Sequence, residues 1–158
     1  MAPTLVEVLH KHPFVASFRA EHTAKLAALA KQVEFESNQI IFREGDLYSA
    51  FFLLGSGMIA LELEQSETVL RVQTLYAGDE FDWSALLQNA GKHFQARALS
   101  PVTALAFEAD ELLAAFKADP EFGLAFMFRL MGVVSERLRA TRVQLLDMYS
   151  PVAKRAGT

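Results

Sequence analysis

Between Val33 and Phe107 the chain changes texture, and that change limits the fold more than any other feature. Short runs rich in Val, Ile, Phe and Leu alternate with Gly, Asn, Asp and Ser: "VEFE", "QIIFRE", "AFFLLGSGMIALELE", "VLRVQTLY", "HFQARALS" and "VTALAFE". Strands of this length and spacing, broken by turn residues, predict an antiparallel sandwich or roll. Gly45, Gly55, Gly57 and Gly78 fall between the runs, where a positive φ is expected. In "SGMIALELEQ", Ile59, Leu61 and Leu63 alternate with Ala60, Glu62 and Glu64, which predicts a strand with one wet face.

Helical patterns flank this region. "TLVEVLHKH" ends at Pro13, and "AEHTAKLAALAKQV" spaces Leu26, Leu29, Ala30 and Val33 as a helix does. Asp110 is positioned to cap "ELLAAFKA". A long segment then starts at Pro120, with Pro151 expected to stop it. Inside it Leu124, Met127, Met131, Val134, Leu138, Thr141, Leu145 and Met148 recur at alternating spacings of three and four, a heptad seam. Phe122, Phe126, Leu130 and Val133 form a second stripe, suited to packing on the roll. Two stripes imply two partners, the chain's own roll and a second copy; burial of both within a monomer is the alternative. The expected organisation is one domain over 1–158. It comprises N-terminal helices at 1–32, a β-roll at 33–108 with a short inserted helix, and C-terminal helices at 109–149. By class it is mostly β with flanking helices, α+β by count.

Composition removes several function classes. A net charge of −4 gives no field for nucleic acid. No cysteine is present, which excludes disulfides and thiolate metal sites. Neither a membrane span nor a signal peptide is evident, so a cytoplasmic location is expected. His10 and His12 diverge on a helix, and no zincin, phosphate-loop or nucleophile-elbow motif occurs, so the chain is not expected to be an enzyme.

The order helix, roll, short helix and long helix resembles the cyclic-nucleotide-binding domain family. The match rests on "QIIFREGDLYSAFFLLGSGMIALELE", "LYAGDEFDWSALL", "FQARALSPVTALAFEADEL" and "SERLRATRVQLLDMYS", from about Phe14 to Tyr149. It implies a jelly roll that senses cyclic AMP or cyclic GMP, as in the sensory domain of catabolite-activator-type regulators. The helix-turn-helix that follows in those regulators has no counterpart in "VAKRAGT", so direct DNA reading is not expected.

The resemblance also places the ligand segment. Family members that bind cyclic nucleotides carry Phe-Gly-Glu, a short apolar run, and an Arg leading a strand of type Arg-Ser-Ala-x-Val. The glycine admits the phosphate to backbone amides, the glutamate accepts from the ribose and the arginine forks onto phosphate oxygens. Here the frame reads Phe81-Asp82-Trp83-Ser84-Ala85, and Lys92 heads Lys92-His93-Phe94-Gln95-Ala96-Arg97. Asp82 is expected to cap the short helix and repel an anion. Trp83 has only a donor, and Lys92 lacks the fork. Cyclic nucleotides are therefore expected to bind weakly or not at all, with dissociation constants on the order of 100 μM or above. A slipped register would bring Glu80 or Arg97 to the site; strand alternation instead places Arg97 opposite Lys92, as a solvent or salt-bridge residue. On the long helix Thr141 and Arg142 stand where some members contact the base. The candidate ligand residues are thus Asp82, Trp83, Ser84, Ala85, Lys92, His93, Phe94, Thr141 and Arg142. Two outcomes stay open: an aromatic or amphipathic ligand, or a pocket that Trp83 and Phe94 fill themselves.

Overall fold

The computed structural model describes residues 3–46, 50–87 and 94–156, with side chains to Met148. Lys92 and His93 lie outside the described residues. Helix α1 (Leu5–His10) opens on a capping box in which Glu7 N donates to Thr4 Oγ1 and Thr4 N to Glu7 Oε2. A 3-10 turn at Pro13–Val15 leads to α2 (Ala20–Leu29). The strands are β1 (Lys31–Phe35), β2 (Ile40–Phe42), β3 (Ala50–Ser56), β4 (Ile59–Glu64), β5 (Val69–Leu75), β6 (Glu80–Phe81), β7 (Gln95–Ala98) and β8 (Val102–Glu108). A 3-10 turn at Trp83–Leu86 follows β6, and α3 (Ala109–Ala118) and α4 (Pro120–Ala156) close the described chain.

Two antiparallel four-stranded sheets, ordered β1-β8-β3-β6 and β2-β7-β4-β5, make the expected roll. Their inner faces enclose Phe42, Phe52, Leu54, Ile59, Leu75 and Phe81 with a floor of alanines. A second core lies between the first sheet and the helices, where Phe14 packs on Phe51 and Phe126 at centroid distances of 5.4 and 5.2 Å. The Phe14–Phe126 pair is edge-to-face, a geometry that adds to area burial.

Several local expectations change. Helix α2 stops at Leu29, and Val33 belongs to β1, because sheet pairing with β8 overrides a four-residue helical pattern. Helix α3 starts at Ala109, so Asp110 sits in its first turn rather than capping it. Helix α4 passes through Pro151 to Ala156; one proline deletes a single ladder bond from a 37-residue helix without ending it. Of the four turn glycines, Gly45, Gly57 and Gly78 have positive φ, but Gly55 lies within β3. Gly55 instead lies close to the neighbouring strand: a Cβ there would stand 3.2 Å from Thr103 O, tighter than an ordinary contact. The wet face of β4 is not wet at Glu62, which is 5% exposed and accepts from Gln95 Nε2 at 2.9 Å and Arg97 Nε at 3.1 Å. Hydrogen bonding makes that burial tolerable.

On α4 the second stripe, Phe122, Phe126, Leu130 and Val133, is buried against the helical core as its spacing predicts. The heptad seam divides. Met127 and Val134 are half-buried against the chain's own core. Leu124, Met131, Leu138, Leu145 and Met148 remain exposed, and Phe128 joins them at 63% exposure.

Candidate functional site

Phe81 sets the position of the expected ligand segment. It is fully buried between the sheets and stacked on Phe52, with ring centroids 4.6 Å apart and an interplanar angle of 5°. The next residue, Asp82, turns the chain with φ 66° and ψ 40°. This is the left-handed region that glycine enters freely, and Asp or Asn enter more readily than other side chains. The frame read from the sequence places Asp82 at a glycine position, and its backbone is one glycine favours.

The carboxylate does not act as expected. Capping needs an extended backbone at the cap residue, and Asp82 makes no side-chain capping bond to the turn that follows. Its Oδ1 accepts from Ser84 Oγ at 3.2 Å. Trp83 does not plug the roll; it packs in part against the helical core, and a cavity of about 400 Å³ opens beside it.

Phe42, Leu61, Val72, Gln73, Asp82, Trp83, Ser84, Phe94, Val134, Arg137, Leu138 and Thr141 line this cavity. Five predicted residues therefore converge: Asp82, Trp83, Ser84, Phe94 and Thr141. Ala85 is buried in the helical core and Arg142 is exposed; neither lines the cavity. Thr141 Oγ1 donates to Arg137 O at 2.9 Å, closing a local helix bond. Arg97 pairs with Glu62 on the face opposite the buried Ala96 and Ala98, as a salt-bridge residue; its placement relative to Lys92 lies outside the described residues.

Sequence reasoning missed Arg137. It lies one helical turn before Thr141, a spacing that puts both on one face, and that was the available signal. Arg137 Nη2 donates to Glu80 Oε1 at 2.8 Å and also to Glu80 O. Both side chains are largely buried, at 19% and 8% exposure. Burial pushes the Glu80 carboxyl above its ordinary range, and the facing guanidinium of Arg137 partly offsets this. Glu80 is not a lining residue, because Phe81 takes the inner face of β6 and alternation sends Glu80 toward α4. Among the described residues no group of three or more His, Cys, Asp or Glu could hold a metal ion. No helix of the described residues is long and apolar enough to cross a membrane.

This geometry has clear relatives. A cyclic nucleotide-binding domain from Methylobacillus flagellatus superposes with a TM-score of 0.79 at 16% identity, over 92% of this chain and 82% of that one. The N-terminal domain of a transcriptional regulator from Streptomyces coelicolor gives 0.69 at 22% identity, over 88% and 95%. The catabolite activator protein of Thermus thermophilus gives 0.71 at 22% identity, over 87% and 63%. No curated protein sequence matches significantly. The sequence profile of the cyclic nucleotide-binding domain matches residues 32–119, more than half of the chain, and the chain belongs to that family.

Proposed function

We propose that this domain is a regulatory small-ligand sensor whose phosphate-binding segment has degenerated, and that it works as a homodimer through α4. The carrying observation is the cavity of about 400 Å³ at the family's ligand segment, with Asp82 and Trp83 at its edge. Seven of its twelve lining residues are apolar, three of them aromatic, which suits a planar amphipathic molecule. The Asp82 carboxylate opposes a cyclic phosphate, and Trp83 offers no acceptor to a ribose. Ligand contact with Trp83 and Thr141 at once would bias the turn after β6 against the long helix, a two-state coupling.

Dimerisation is supported by exposure. Every residue from Leu138 to Met148 is exposed, among them Leu145 at 53% and Met148 at 74%. A helix projecting without tertiary contact is marginal in water, and a partner helix would cover this stripe.

Calorimetry tests the degenerate segment. The native protein should bind cyclic AMP no tighter than about 100 μM, and Asp82→Gly/Trp83→Glu/Lys92→Arg should gain at least about tenfold. Micromolar binding by the native protein would refute the reading. A thermal-shift screen of aromatic fragments separates this sensor from the alternative, a ligand-free dimerisation module of the same fold, since only a sensor gains stability from a ligand.

A further inference from the structure

The N-terminal turn is capped by a residue that a proton disarms. His12 is the N-cap of the 3-10 turn at Pro13–Val15, and its Nδ1 accepts from Phe14 N at 3.1 Å. Its Nε2 donates to Leu54 O on β3, also at 3.1 Å. The common cap residues Ser, Thr, Asn and Asp keep their acceptor near neutral pH. A histidine keeps one only while neutral, because both ring nitrogens of the charged form are donors. The charged ring still donates to Leu54 O, so a proton spares the contact with β3 and breaks the cap.

The same turn holds the long helix. Arg129 Nε on α4 donates to Phe14 O at 2.9 Å, Nη2 reaches Pro13 O at 3.5 Å, and the guanidinium carbon lies 5.3 Å from the Phe14 ring centroid. His12 is 8% exposed, yet it lines an open cleft of about 410 Å³ with Lys11, Gln32 and Gly78, which gives protons a route from solvent. Burial opposes charging of the ring. Asp79, on the loop before β6, favours the proton, and Arg129 opposes it. Lys11, on the same cleft, adds a like charge.

We infer that His12 is an acid-released cap, and that its protonation loosens the hold of the Pro13–Val15 turn on α4 through Arg129. The long helix thereby takes an input from pH that needs no ligand.

Hydrogen exchange resolved by NMR on the intact protein tests this, at about pH 7.5 and about pH 5.5, with intrinsic rates divided out. In an opened turn the His12 ring titrates at its ordinary value of about 6.5, so acid favours opening by a factor of up to about ten over this range. Exchange at Phe14 N, at Ala16 N, which donates to Pro13 O, and at Arg129 Nε should rise together by up to about tenfold. These sites should exchange faster than the β3 and β8 amides at both pH values, because the opening is local. His12→Gln, whose amide accepts and donates without titrating, should remove the change. Exchange that ignores pH, or a rise that survives in His12→Gln, would overturn the cap. Arg129 Nε staying protected while Phe14 N opens would overturn the coupling to α4. Turn amides as protected as those of the strands would mean that acid acts only through global unfolding, and would overturn the local release.

Discussion

Arg137 Nη2 stands 2.8 Å from Glu80 Oε1, joining the middle of the longest helix to a two-residue strand 57 positions earlier. The strand ends one residue before the left-handed turn at Asp82, so this ion pair fastens the segment proposed to meet a ligand to the long helix. Four predictions follow from this contact and its surroundings.

Arg137→Met alone should lower stability by about 3 kcal/mol, because removing one partner leaves a buried carboxylate uncompensated. Glu80→Met/Arg137→Met should recover most of that loss. Urea unfolding of both variants checks this, and equal losses would show that the pair does not act as a unit.

Asp82 should tolerate glycine better than alanine. Its φ of 66° costs an ordinary side chain about 1 kcal/mol relative to glycine. Asp82→Gly and Asp82→Ala both remove the carboxylate, so their difference isolates the backbone. Identical unfolding midpoints would mean that the turn is not held left-handed.

His12 should make the fold acid-sensitive. Its Nδ1 accepts from Phe14 N at 3.1 Å, so the neutral ring must carry its proton on Nε2, which donates to Leu54 O at 3.1 Å. A second proton would face an N–H donor. Burial holds the pKa below its ordinary value, with the Leu54 and Asp79 backbone and the Asp79 charge pulling it up and the Arg129 charge pushing it down. The unfolded chain therefore binds more protons once pH falls through about 6.5, and stability falls with it until the folded pKa is passed. Glu80 works in the opposite sense: its raised pKa makes the fold gain stability as pH drops through that raised value toward the ordinary carboxylate range. Comparing native protein with His12→Gln by Tm between pH 7.5 and about 5 isolates the histidine. The variant should show the smaller acid loss, and parallel curves would refute the assignment.

Met131→Glu should give a monomer in sizing chromatography with an unchanged circular dichroism spectrum. Met131 is 63% exposed, lies on the seam and does not line the cavity, so the change addresses association alone. An unaltered elution volume would place the interface elsewhere.

Chain order alone disclosed the roll, its eight-strand span save β6, the short turn of helix and the buried stripe of α4. Those features are local: alternation, turn residues and a 3.6-residue period are written along the chain. The proposed ligand segment carries its frame in Phe81-Asp82-Trp83, and Asp82 has the positive φ that a glycine position allows. Tertiary packing decided the rest. Whether Asp82 capped a helix depended on a dihedral angle that no residue type announces. Whether Trp83 filled the roll depended on the space left by Phe42, Leu61 and Phe94. Met127 and Val134 belong to the seam by spacing and to the core by contact, because a helix face is buried by whatever stands beside it. The meeting of Glu80 with Arg137 joins residues 57 apart, and no periodicity spans such a separation. Short-range pattern determines elements, and only closure of the chain determines which charges face one another.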